Sequence, residues 1–144
     1  RDGRLLHDHW GQSMHAHLGS TVPGFPNLFM LLGPNTGLGH SSMVYVIESQ
    51  VAYVVDALRT LRDRGAEVAE VTPQAEAASN AEIDRRMEGT VWNTGCSSWY
   101  LDETGRNAAL WPDWTFAFRR RTAHFEPSEY ELTGRRPAPV PAAV

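Results

Sequence analysis

Between Pro26 and Ser42 the chain reads as an apolar run, a loop broken by glycine and proline, and a helix start, in that order. From Asn27 to Leu32 the run is apolar without alternation, which predicts a strand covered on both faces, as in a parallel sheet. Gly33, Gly37 and Gly39 then let the backbone bend and let a ligand approach closely. Ser41 or Ser42 offers a hydroxyl as N-cap. Strand, Gly-rich turn and helix N-terminus are how α/β proteins present backbone N–H groups to a phosphate or a polar cofactor ring. A ligand is expected here.

Downstream, Val44, Ile47, Val51, Val54, Leu58 and Leu61 recur at spacings of three and four, the stripe of an amphipathic helix over 42–64. Asp56, Arg59, Arg62, Asp63 and Arg64 fall mostly off that stripe, and Gly65 is a good stop. Glu67 to Thr72 alternates charged and apolar residues and predicts a short strand ending at Pro73. Ala75 to Glu88, rich in Ala and Glu, predicts a second, mostly solvent-facing helix. An aromatic block follows, in which Trp114, Phe116 and Phe118 alternate as on a half-buried strand. Residues 1–26 read as a loop or weak strand, and the Pro/Ala-rich tail from Thr133 as disordered. A strand buried on both faces needs neighbours that this chain hardly supplies. The expectation is an incomplete domain, or one completed by a second copy through an exposed sheet edge.

A formal net charge of −4 gives no basic footprint, which argues against nucleic acid. One cysteine, Cys96, excludes an internal disulfide framework and suits a reducing cytoplasm. No apolar run is long enough to span a bilayer, and no signal-peptide pattern opens the chain. Its first residue is Arg1, so sequence missing upstream is expected.

Gly37-Leu38-Gly39-His40-Ser41-Ser42 approaches a dinucleotide fingerprint, with Ser in the last position. The acidic partner expected about 20 residues on falls within the helix, and Glu70 lies too far along. A pyrophosphate site is therefore disfavoured, leaving another kind of cofactor contact or a structural turn. His7/His9 and His15/His17 are H-x-H pairs that could share a metal from one strand face. No Cys, Asp or Glu pattern completes a familiar site, so scattered loop histidines are the favoured reading and no metal ligand is assigned. Cys96 reads as a turn residue, Trp99 and Tyr100 as packing or as a platform for a planar ligand, and Arg119 to Arg121 as a solvated edge. No catalytic residue is assigned.

Three blocks together carry a resemblance. Pro23-Gly24-Phe25-Pro26-Asn27-Leu28-Phe29, then Gly33-Pro34-Asn35-Thr36-Gly37-Leu38-Gly39-His40-Ser41-Ser42, then Ile47-Glu48-Ser49-Gln50 resemble the C-terminal part of flavin-containing monooxygenases. The nearest group is the Baeyer–Villiger type, with the 4-hydroxyacetophenone monooxygenase branch as the nearest within it. Trp92 to Tyr100, Gly105-Arg106-Asn107 and Leu110-Trp111-Pro112 are similar to the same region, so the likeness runs from about Gly11 to Leu132.

The resemblance implies an α/β flavoprotein with two dinucleotide-binding domains, one for FAD and one for NADPH, of which this is a C-terminal portion. Residues 1–72 would close the FAD domain, 73–132 would form a helix plus aromatic strand and loop region, and 133–144 a tail. It implies insertion of one oxygen atom from O2 into a ketone through a flavin C4a-peroxide, with N- or S-oxidation as the alternative chemistry. Gly33, Pro34, Asn35, Thr36 and Met43 are implied as flavin neighbours, and Trp99 as a residue over the nicotinamide cofactor. Leu38, Gly39, His40 and Ser41 would border the substrate pocket. The FAD pyrophosphate fingerprint, the NADPH domain and the catalytic arginine are absent, and His17 stands where an aromatic residue is expected before Leu18-Gly19. The isolated chain is therefore expected to be inactive and to bind FAD poorly. A non-catalytic module completing a split flavoprotein is the rival reading, and a small histidine metalloprotein a distant third.

Overall fold

The computed structural model describes residues 3–93 and 98–134. Helix α1 spans Leu6–Trp10, α2 Met43–Asp63, strand β1 Val68–Val71, α3 Pro73–Met87, α4 Thr115–Arg121, and β2 Tyr130–Thr133 after a 3₁₀ turn at Pro127–Glu129. Strands β1 and β2 pair antiparallel, with Val68 opposite Thr133 and Val71 opposite Tyr130. Thr133, expected to open the tail, instead completes this ladder; residues 135–144 lie outside the described residues, as does Cys96.

Two helices form where the sequence places them. Ser42 caps α2 by accepting from the Val44 N–H, and Gly65 follows its end at a φ of 64°. Thr72 caps α3 by accepting from the Ala75 N–H, with Pro73 in the first turn, where its missing N–H costs nothing. The buried face of α2 differs from the expected stripe. It consists of Val46, Ser49, Gln50, Tyr53, Ala57 and Leu61, while Val44, Val51 and Leu58 are 60%, 44% and 56% exposed. Helix α2 thus has apolar groups on more than one face, and this chain covers the more polar of them.

Segment 27–32 is not a strand. Asn27 and Leu32 hold φ angles of 59° and 55°, which interrupt extended backbone. Its hydrogen bonds go to three different elements instead of one ladder. The Asn27 N–H donates to the Ala69 carbonyl, the Met30 N–H to Ser20 O and the Leu32 N–H to Gln50 Oε1. The Asn27 side chain also donates to Glu67 O, just before β1, and accepts from the Ala69 N–H within it. The segment is pinned as an irregular connection, since β1 already has β2 on its other edge and no described strand lies alongside 27–32. The expected strand at 114–118 is likewise helix α4, with Trp114 as its extended N-cap and Phe116 and Phe118 within it. Only Phe118 of the three aromatics is buried, against Val46, Ile83 and Trp111. Arg119 to Arg121 form the last turn of that helix, favourable for cations beside the C-terminal end of its dipole, and do not form a strand edge.

The larger core joins α2, β1 and β2 through Tyr53, Ala57, Leu61, Ala69, Val71, Phe125 and Tyr130. At its centre the Tyr130 hydroxyl lies 2.7 Å from the Tyr53 hydroxyl and 2.9 Å from Thr21 Oγ1. His17 takes the aromatic's place ahead of Leu18. Its ring is 1% exposed and stands edge-on to Tyr130, with centroids 5.8 Å apart. Burial holds this imidazole below its usual pKa, opposed by the Glu129 carboxylate. Replacing Tyr130 by Phe strands two buried hydroxyls, and urea unfolding should show a loss of about 1–3 kcal/mol. Burial also pushes the Tyr130 hydroxyl up to about 12. Its neutral form is thus favoured by the fold, so stability should be intact below the unfolded value of about 10 and fall as pH rises from there through about 12. Burial raises the neighbouring Tyr53 hydroxyl in the same direction, so Tyr130→Phe should reduce that decline without abolishing it.

Candidate functional site

The glycine loop between segment 27–32 and α2 is held by hydrogen bonds to a distant part of the chain. The Asn35 and Gly37 N–H groups donate to the Ala108 and Ala109 carbonyls at 2.8 Å, and the Trp111 N–H donates back to Gly37 O. Asn35 is buried, with its Nδ2 donating to Asn107 O at 2.7 Å and Leu110 O at 3.1 Å. Its Oδ1 accepts from Arg106 Nη2 at 2.9 Å, and Arg106 reaches on to Asp84 of α3 and to the Met14 carbonyl. Asn107 Oδ1 in turn accepts from the Leu110 N–H, fixing the receiving turn.

Close backbone approach explains the glycines. A Cβ on Gly33 would lie 2.4 Å from Gly19 O, and one on Gly37 would lie 2.8 Å from Ala109 O. Gln50 of α2 closes the other side. It is fully buried, donating from Nε2 to Gly19 O and Ser20 Oγ and accepting the Leu32 N–H on Oε1.

This scaffold encloses a largely apolar cleft of about 450 Å³ beside the first residue of α2, within the ~300–1,000 Å³ span of small-molecule sites. Gly33, Pro34, Thr36 and Met43 line it, with Gly37 in the loop between them. Trp10, Met14 and Met30 to Leu32 complete one wall and Ala108 and Ala109 another. Leu31 and Leu32 remain 48% and 42% exposed at its rim. The end of a 21-residue helix at the cleft supplies a partial positive charge, and no acidic side chain in its first turn offsets it.

The other sequence-derived positions separate. Asn35 is a buried tie and does not line the cleft. Leu38 packs against the Val46, Ile83, Trp111 and Phe118 cluster. Gly39 presses on Trp92, where a Cβ would lie 2.4 Å from the ring. His40 stands edge-on to Trp114 at 5.6 Å and lines a second cleft of about 320 Å³ with Trp92 and Trp111, while Ser41 is exposed. Trp99 is 83% exposed, with its ring 4.0 Å from that of Tyr100, and lines neither cleft. The H-x-H pairs do not act as pairs. His9 and His15 meet Glu76, His17 is in the core, and His7 is exposed. Met14, Ala108, Ala109 and Arg106 were not legible as site residues, because nothing local in the sequence marks contacts made across some 70 positions.

No family model matches the chain. It is 50% identical over 135 residues to a Baeyer–Villiger monooxygenase of Pseudomonas aeruginosa, covering 92% of this chain and 26% of that protein. It is 48% identical over 141 residues to a Baeyer–Villiger monooxygenase of Streptomyces coelicolor, covering 96% and 27%. Among solved structures it matches an oxidized steroid monooxygenase bound to NADP with a TM-score of 0.79 and 30% identity, over 94% of this chain and 26% of that one. The chain belongs to the Baeyer–Villiger monooxygenase family and spans about a quarter of the length of these relatives. Its α/β fold is that of the corresponding portion of such flavoproteins.

Asn35→Ala removes the tie between the two walls and leaves the Asn107 and Leu110 carbonyls without their buried donor. Urea unfolding should show a loss of at least ~2 kcal/mol.

Proposed function

We propose that this chain is the flavin-ring end of an FAD- and NADPH-dependent monooxygenase that inserts one atom of O2 into a ketone. The observation that carries the reading is the apolar cleft at the start of α2, lined by the glycine-loop residues that carry the family resemblance. The cleft suits a planar heteroaromatic ring. Apolar Leu31, Leu32 and Met30 offer it surface, the small residues Gly33 and Gly37 let it approach backbone, and the helix end favours negative charge on it. Bound there, a flavin supplies the two-electron and oxygen chemistry.

The chain's own contribution is orientation and electrostatics. Gly33, Pro34 and Thr36 shape the loop against the ring, the Met43 end of α2 stabilises developing negative charge, and Asn35 holds the loop in place through Arg106 and Asn107. His40 and the Trp92, Trp111 and Trp114 side chains border the organic substrate, while the exposed Trp99 is free to cover the nicotinamide cofactor. In this reading residues 1–72 close the FAD domain and 73–132 add the second helix and aromatic region. The phosphate cradle and NADPH domain come from elsewhere in the protein, and the isolated chain is inactive.

A chimera tests this directly. The matching segment of the Pseudomonas aeruginosa relative is replaced by these 144 residues, and bound flavin, NADPH oxidation and ketone products are measured. The expected outcome is a yellow protein that converts ketone to ester or lactone. A folded chimera without flavin refutes the placement of the ring. A flavin-loaded chimera that oxygenates amines or sulfides but no ketone selects N- or S-oxidation, and a loaded chimera that consumes no NADPH selects the non-catalytic module.

A further inference from the structure

We propose that His9, His15 and Glu76 form a binding site for a zinc-class divalent cation, separate from the flavin cleft. The three residues come from α1, the loop after it and the first turn of α3, and their donor atoms all lie within 4.8 Å of one another. His15 Nδ1 is 3.3 Å from Glu76 Oε1, and His9 Nε2 is 3.7 Å from Glu76 Oε2. Tetrahedral zinc with bonds of about 2.0–2.2 Å holds its donors roughly 3.3 Å apart. The His15–Glu76 pair already has that separation, and a small rotation of His9 brings in the third ligand. Two imidazoles and one carboxylate are a donor set that zinc favours, with the fourth position open to water.

Two further observations point to a ligand. His9 Nε2 is buried and has no hydrogen-bond partner among the described residues, although its side chain is only 12% exposed and that of Glu76 10%. A buried nitrogen aimed at a carboxylate beyond bonding distance is a poor arrangement by itself and a good one around a cation. A cleft of about 340 Å³ bordered by Ser13, His15, Glu76 and Asn80 provides an entry path.

Arg4 competes with the ion. Its Nη2 donates to His9 Nδ1 at 2.9 Å, which fixes the ring proton on Nε2. Ligation through Nε2 moves that proton to Nδ1, so Arg4 must release the ring. A bound ion would tie α1 to α3. Because Trp10 and Met14 flank this segment and line the larger cleft, and Trp10 Nε1 donates to His15 O, the ion would also fix one wall of that cleft.

The test is titration of the metal-free 144-residue chain with Co2+, followed by the intensity of its visible bands and by Zn2+ displacement. Tetrahedral-type bands that Zn2+ abolishes are expected. His15→Ala and Glu76→Gln should each weaken binding by at least about tenfold, Arg4→Ala should strengthen it severalfold, and His7→Ala should leave it unchanged. In the unaltered chain, Zn2+ should protect the half-exposed His15, but not His7, from diethylpyrocarbonate, a readout that does not depend on any variant folding. Absence of saturable Co2+ binding would overturn the proposal. So would equal loss in His7→Ala, indifference to Glu76→Gln, or equal protection of His7, each of which marks adventitious binding to exposed histidines.

Discussion

The buried amide of Asn35 is the contact on which the arrangement of this chain depends. One side chain donates to two carbonyls of the 107–110 turn and accepts from Arg106, so a flexible glycine loop is locked to a segment some 70 residues away. Low dielectric around such a group makes its bonds strong and its loss costly, so the network specifies one geometry where apolar packing alone would allow several. Arg106 then extends the tie to α3 through Asp84, and Gln50 makes the matching connection from α2 to the Gly19 turn. The walls of the cleft are thus set by polar side chains, and its surface by apolar ones.

Helix α2 connects this geometry to the incompleteness of the domain. Its covered face carries Gln50 and Tyr53, which reach toward the loop and the strand pair, and Ser49, which accepts from Arg119 of α4, while Val44, Val51, Val55 and Leu58 are exposed. A helix with two working faces fits a chain that spans only a quarter of its relatives' length, the second face being available to other parts of such a protein.

Local signals were legible where local physics decides. The cap at Ser42, the stop at Gly65 and the alternation over 67–72 correspond to observed boundaries, whereas α3 starts at Pro73, behind the Thr72 cap, two residues before the expected start at Ala75. Tertiary competition erased the rest. The apolar run at 27–32 has strand composition, yet its backbone is claimed by β1, Ser20 and Gln50, and two residues with positive φ break it. Trp114, Phe116 and Phe118 alternate over too few residues to separate a period of two from one of 3.6, and packing of Phe118 against Trp111 and Val46 favours a helix. The glycine loop was legible as a tight turn where backbone approaches closely. Arg106, Ala108 and Ala109 were not legible as its partners, and neither was the meeting of His9 and His15 with Glu76, because such contacts depend on how the chain folds back on itself.

In the proposed function the start of α2 faces the flavin ring. The most direct measurement is the two-electron reduction potential of the flavin in the chimera, with and without Met43→Asp. A carboxylate placed at that helix end should oppose negative charge on the reduced ring and lower the potential by tens of millivolts, where ~30 mV corresponds to ~1.4 kcal/mol for a two-electron couple. An unchanged potential in a chimera that still holds its flavin would contradict the placement of Met43 beside the ring.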